Sequence, residues 1–276
     1  MGYYSRARNL HKTANKIIKD FDGKIPSDFN ILKNFPGIGD YTAAAIASLA
    51  FNIPVASVDG NGYRFIARFF GIYTPIDSYV GKKEFFEAAT KILDPNNPGK
   101  HNQAMIELGA LICLPKNPLC TNCPVNDSCF ALKNRSVHEL PKKKKKIIPV
   151  DRYFYYLVIN KRNHVFIRQR NEKDIWELLY DFPLIETPVK ISFQDVVKEE
   201  HWRKIFKNTA ITIKKISKEY RHQLSHQVIH AWFIELIVED KFILEGSLEI
   251  EFQDIERYPL PRLIDKYIST IFKEKQ

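Results

Sequence analysis

The run Cys113-Leu-Pro-Lys-Asn-Pro-Leu-Cys120-Thr-Asn-Cys123-Pro-Val-Asn-Asp-Ser-Cys129 holds all four cysteines of a 276-residue chain. A secreted disulfide scaffold spreads its cysteines through the sequence, so this crowding points to a reduced thiolate site. Soft sulfur ligands converging from one loop suit zinc or an iron–sulfur cluster. The spacing Cys-x6-Cys-x2-Cys-x5-Cys contains only one of the two CxxC halves of a zinc ribbon. By itself it leaves a cluster, zinc and unligated thiols open.

Upstream of the loop the pattern is helical. Met105, Leu108, Leu111 and Ile112 mark a helix that runs into Cys113. Leu10, Ala14 and Ile17 fall on one face of another. Ser27 is expected to cap a short helix carrying Phe29 and Leu32. Phe35-Pro36-Gly37-Ile38-Gly39 must then break it, because proline cannot continue a helix and glycine permits positive φ. A helix capped by Asp40 follows, through Thr42, Ala45, Ile46 and Leu49. A glycine turn at a helix N-terminus exposes backbone N–H groups that can hold a phosphate oxygen. Val58-Asp59-Gly60-Asn61 interrupts the chain again before Tyr63–Phe70, and Asp59 taken alone reads as a helix cap.

Downstream the period changes. Residues 131–152 carry 8 basic and 2 acidic side chains, with Lys142 to Lys146 in one run, and read as a basic interdomain linker. Tyr153–Asn160 (YFYYLVIN) is a β-type run, Lys161-Arg-Asn163 a turn, and Val165–Arg168 a returning strand. Val228–Val238 is a second long β-type run, with helices near Gln194–Phe206 between them. The chain therefore reads as multidomain: an all-α part over 1–130, a linker over 131–152, and an α+β part over 153–276.

The composition is globular, 45% hydrophobic and 27% charged. A net charge of +10 suits an anionic partner, nucleic acid or an acidic surface. The first residues, MGYYSRARNL, have no apolar core for a signal peptide, and no apolar run reaches membrane-spanning length.

Taken together, the glycine hairpin, an aspartate twenty residues beyond Gly39, and the cysteine spacing resemble the helix-hairpin-helix DNA glycosylase superfamily. Within it, Gly2-Tyr3-Tyr4-Ser5-Arg6-Ala7-Arg8-Asn9-Leu10-His11 is similar to a segment of the A/G-specific adenine DNA glycosylases, the MutY family. Tyr41 stands where endonuclease III-like enzymes carry the lysine needed for Schiff-base lyase chemistry. Trp176-Glu-Leu-Leu-Tyr-Asp-Phe-Pro183 looks like the same family's Nudix-like C-terminal domain, without the glutamate-rich box of a working Nudix hydrolase.

The resemblance implies a base-excision repair enzyme that hydrolyses the N-glycosidic bond of adenine mispaired with 8-oxoguanine or guanine in double-stranded DNA. It implies a [4Fe-4S] cluster on Cys113, Cys120, Cys123 and Cys129. Asp59 matches the carboxylate that stabilises the sugar cation, with Tyr41 and Asn61 packed around the reacting nucleotide. Pro36, Gly37, Ile38 and Gly39 match the backbone-gripping hairpin, and Tyr3 the aromatic wedged into the duplex. Leu224-Ser225-His226 matches the loop that probes 8-oxoguanine, with Leu224 in place of an aromatic residue.

The match starts at Gly2, whereas the family has helices before that point, including the glutamate that protonates adenine. The chain is therefore expected to be N-terminally truncated and weak or inactive as it stands. The alternatives are a non-catalytic DNA-binding protein and an endonuclease III-like glycosylase with lyase activity. A monomer acting in the cytoplasm, at the bacterial nucleoid, with no membrane partner, completes the expectation.

Overall fold

A computed structural model describes residues 4–144, 148–207 and 209–274, without the side chains of the last two. The chain divides into two compact units which, among the described residues, are a helical one over 5–144 and a mixed one over 148–274 that also includes Tyr4.

The helical unit is built from α1 (Tyr4–Phe21), α2 (Phe29–Lys33), α3 (Asp40–Phe51), α4 (Gly60–Phe70), α5 (Tyr79–Ile92), α6 (Pro98–Glu107) and the short α7 (Phe130–Lys133). One core gathers Phe65 and Ile66 of α4 with Phe85 and Ala88 of α5 and Met105 of α6. A smaller core of Leu32, Phe35, Ala43 and Ala47 joins α2 to α3, and Ile17 and Phe21 of α1 pack on it. The stripe expected on α1 is only partly covered. Ile17 is half-buried, but Leu10 stays 70% exposed, Ala14 is exposed, and Thr13 is the buried residue of this helix.

Two expected caps shift by one residue. Asp28, not Ser27, caps α2, its Oδ1 accepting from the Ile31 N–H at 2.9 Å. Gly39 occupies the cap position of α3 with no side-chain bond, and Asp40 is the first helical residue, paired with Lys33 at 2.5 Å. A carboxylate in the first turn already complements the helix dipole, so Asp40 is favourable without capping.

The expected linker is also corrected. Ala131, Ser136 and Leu140 are buried, Ile76 N–H donates to the Lys142 carbonyl, and Lys144 N–H donates to Asp77. Residues 131–144 thus belong to the helical unit despite their charge, because their apolar and backbone groups are satisfied there while the lysine heads stay solvated. Lys145 and Lys146 of the basic run lie outside the described residues.

The second unit is a mixed sheet with strand order β3-β2-β1-β7-β5. Its strands are β1 (Val150–Lys161), β2 (His164–Gln169), β3 (Tyr180–Asp181), β4 (Leu184–Thr187), β5 (Ile211–Ile216), β6 (Tyr220–Gln223), β7 (Gln227–Val238) and β8 (Leu248–Glu251). Short helices α8 (Phe193–Val196) and α9 (Glu200–Phe206) precede β5, and α10 (Arg262–Glu274) ends the unit. The two long apolar runs pair in parallel, Val150 with Gln227 through Asn160 with Ile237. A parallel pair needs cover on both faces. Phe154, Tyr156 and Val158 face a core with Leu263, Ile264 and Tyr267 of α10, while Tyr155, Leu157 and Ile159 face Trp202 and Phe206 of α9. Burial on both faces is why YFYYLVIN is apolar throughout and does not alternate. The remaining pairs are antiparallel: β2 and β4 on β1, β3 and β8 on β2, β5 and β6 on β7.

Candidate active site and cysteine loop

Between α2 and α3 the chain turns at Pro36-Gly37-Ile38-Gly39. Gly37 needs its positive φ of 79°, and a Cβ there would lie 2.8 Å from the Cβ of Asn9. Thr13 Oγ donates to the Pro36 carbonyl at 2.9 Å, so α1 rests directly on the turn. Ile38 packs against the hairpin core. With no side-chain cap, the first-turn N–H groups of α3 are available to an anion.

Asp59 caps α4. Its Oδ1 accepts from the N–H groups of Asn61 at 2.9 Å and Gly62 at 2.7 Å. Its Oδ2 accepts from Asn61 Nδ2 at 3.0 Å, which leaves that oxygen a second lone pair for a reacting atom. Capping therefore fixes the rotamer of a half-exposed carboxylate instead of consuming it. Asn61 Oδ1 in turn accepts from Arg64 Nη2 at 2.9 Å. Arg64 continues to the Gly109 carbonyl at 2.6 Å and, through Nε, to the Cys113 carbonyl at 2.7 Å. Gly109 lies in a π-type turn, Leu108–Ile112, that carries α6 into the cysteines. A Cβ at Gly109 would come 2.6 Å from the Asn61 carbonyl, so only glycine allows this approach.

The strand-like segment before Asp59 is held by Asn102, which is 2% exposed on α6. Its Oδ1 accepts from the Ser57 N–H, and its Nδ2 donates to the Val55 carbonyl and to Ser48 Oγ of α3. Ser57 Oγ donates to the Tyr41 carbonyl at 3.3 Å. Tyr41 itself is 43% exposed in the first turn of α3. Burial, and then the Asp40 carboxylate, push the Tyr63 phenol above its usual range. Asp59 and Asn61 thus share one hydrogen-bonded network with Arg64, while the backbone of Tyr41 is tied to Ser57, two residues before Asp59.

All four cysteines are free and half-buried. They line one cavity whose walls are otherwise mostly apolar, Phe65, Phe69, Val125 and Leu132 among them. Among the described residues, no three His, Cys, Asp or Glu side chains gather tightly enough around one point to hold a single ion, so the shared cavity is what the four sulfurs define. The donor set is soft sulfur without carboxylate, suited to zinc or an iron–sulfur group.

In the second unit, Leu224 N–H bonds to the Gln227 carbonyl at 2.8 Å, closing the turn between β6 and β7. Ser225 and His226 are the two exposed residues at its tip, while Leu224 packs against the core. Tyr3 lies outside the described residues.

The reading of the sequence had not singled out Arg64, Arg68 or Asn102. The available signal is the spacing of two arginines one turn apart in a helix that otherwise carries three phenylalanines, Tyr63 and Ile66. Asn102 carried no signal, since a lone asparagine in a helix is ordinary.

A family model described as the NUDIX domain matches residues 154–270. An adenine DNA glycosylase of Buchnera aphidicola subsp. Schizaphis graminum is 35% identical over 231 residues, covering 83% of this chain and 64% of its own length. The adenine DNA glycosylase of Buchnera aphidicola subsp. Baizongia pistaciae is 32% identical over 280 residues, covering 99% of this chain and 76% of its own. Among solved structures, a non-covalent endonuclease III–DNA complex is 29% identical, covers 48% of this chain and 60% of its own, and has a TM-score of 0.42. On its near-complete match to a relative of which it spans three-quarters, this chain belongs to the adenine DNA glycosylase family.

Proposed function

We propose that the chain serves base-excision repair by hydrolysing the N-glycosidic bond of adenine paired with 8-oxoguanine or guanine in duplex DNA. The observation that carries this is Asp59. Two backbone N–H groups and the Asn61 amide hold its carboxyl in one orientation and leave Oδ2 open. Cleavage of an N-glycosidic bond builds positive charge on the sugar, and a carboxylate at fixed distance stabilises that charge. The adenine must leave the stack to reach it. The uncapped turn at Gly39 is the natural grip for the phosphate that steadies the extruded nucleotide, and the exposed Ser225 and His226 offer hydrogen bonds to the edge of the opposing damaged base.

The four thiols fit a [4Fe-4S] cluster held by Cys113, Cys120, Cys123 and Cys129 in their common cavity. Such a group braces the loop when bound, and hydrolysis needs no redox step from it. Metal analysis of the purified chain tests this: iron with sulfide is expected, and zinc in their place would overturn it.

Release of adenine from an 8-oxoguanine:adenine duplex, measured on this chain and on its Asp59→Asn variant, tests the proposal. Whatever release the parent shows is expected to be abolished by Asp59→Asn. Asparagine keeps the backbone cap through its Oδ1 but sets its NH2 against the Asn61 amide donor, so the variant should still fold, with a loss of about 1–2 kcal/mol. Full activity in Asp59→Asn would reduce Asp59 to a cap. A lyase reading is tested by borohydride trapping on abasic DNA, where Tyr41 offers no amine and little cross-link is expected.

A further inference from the structure

Arg68, one turn after Arg64 on α4, is only 3% exposed. Its Nη1 donates to the Leu114 carbonyl at 2.7 Å and to Cys113 Sγ at 3.3 Å, and its Nη2 to the Pro115 carbonyl at 3.3 Å. Its Nε is shared between the carbonyls of Val137 at 2.9 Å and Leu140 at 3.1 Å. These acceptors are the two ends of the segment that contains every cysteine. One guanidinium therefore ties the chain where it leaves for the loop to the chain where it returns.

The charge balance is unusual. A guanidinium taken out of water is costly unless an anion accompanies it. None of Arg68's five bonds reaches a carboxylate, and no Asp or Glu lines the cysteine cavity. Arg64, a second cation, bonds to the backbone of the same Cys113. The sulfurs are the groups in that cavity able to carry compensating negative charge, and four thiolates around a metal–sulfur centre carry it in excess.

We propose that Arg68 is the positioning residue of this centre: it supplies its buried counter-charge, donates a hydrogen bond to the Cys113 sulfur, and clasps the neck of the loop. This rests on reading the cysteines as cluster ligands. A donor to a ligand sulfur and a nearby positive charge both favour the reduced state of an iron–sulfur centre, so Arg68 raises its potential.

The test uses the full iron-loaded chain without DNA, comparing the parent with Arg68→Gln and Arg68→Lys. Iron and sulfide content, the rate of iron loss to a chelator in air, and the reduction potential are read. Arg68→Gln is expected to have a more negative potential and to lose iron at least tenfold faster. Arg68→Lys keeps the charge but cannot reach both necks, so its potential should stay near the parent's while iron loss is at least fivefold faster. A purely structural residue would not separate potential from retention in this way. Parent-like potential and retention in Arg68→Gln would overturn the proposal. If the glutamine variant does not fold, a lysine variant that retains iron as the parent does overturns it equally. A parent chain that binds no iron would instead sink the cluster reading, before any variant is compared.

Discussion

Asp59 and Cys113 are joined by three consecutive hydrogen bonds, through the side chains of Asn61 and Arg64. The carboxyl proposed to stabilise the sugar cation is thereby oriented from the same loop that presents the cysteines. Asn61 uses both ends of its amide, which fixes its flip state.

Cutting this chain at either middle link should loosen Asp59 without removing it. Asn61→Ala or Arg64→Gln is expected to slow single-turnover adenine release by on the order of a hundredfold relative to the parent, the usual size of a lost orienting contact. Affinity for duplex DNA should change little, because neither residue lies in the hairpin. Single-turnover rates within twofold of the parent would mean that the backbone N–H groups alone orient Asp59.

Asn102 is the more fragile point for stability. Its replacement by alanine leaves the Ser57 N–H and the Val55 carbonyl without their partner in a buried place. Each such orphan costs about 1–3 kcal/mol, so Asn102→Ala should destabilise by roughly 2–6 kcal/mol. Urea unfolding measures this directly. A loss below about 1 kcal/mol would show that water or a local shift replaces the amide.

Ser225 and His226 make the opposite case. Both are exposed at the β6–β7 tip, so the double alanine variant should unfold within about 0.5 kcal/mol of the parent. Its preference for duplexes with 8-oxoguanine:adenine over normal pairs should nevertheless fall. An unchanged preference in a binding titration would remove these residues from recognition.

His230 gives a pH dependence to the sheet that carries this tip. Its Nδ1 meets Glu219 at 2.6 Å and its Nε2 meets Asp151 at 2.9 Å, while Tyr153 stacks on the ring and Lys190 pairs with Glu219. The bond to Glu219, and then that to Asp151, raise the imidazole above its ordinary value. A group with a raised folded pKa stabilises fully below its unfolded value and loses that stabilisation as pH climbs through the folded one. Stability should therefore decline as pH rises above about 6.5, where a free imidazole titrates. Melting curves of His230→Gln against the parent should converge at high pH. A gap that widens with pH would contradict the assignment.

Much of this molecule is legible in its sequence. The hairpin, the aspartate cap and the cysteine spacing are short-range features, written in a few adjacent residues whose backbone needs are nearly independent of context. The glycine at 37 and the carboxylate at 59 behave locally as their chemistry requires, while Gly39 takes extended backbone open to any residue. The long apolar runs of β1 and β7 likewise announced strands, though not that they pair in parallel, since that register is set by what covers both faces.

Position in sequence could not reveal Arg68 or Asn102. Their roles exist only through partners 45–72 residues away, brought close by helix packing. The same holds for residues 131–144, whose charge reads as solvated linker until the burial of Leu140 and Ser136 is known. Sequence alone determined which groups could do chemistry here, because turns, caps and ligand types are local. Only the tertiary structure decided which buried polar groups hold them, because desolvation and long-range hydrogen bonds have no local signature.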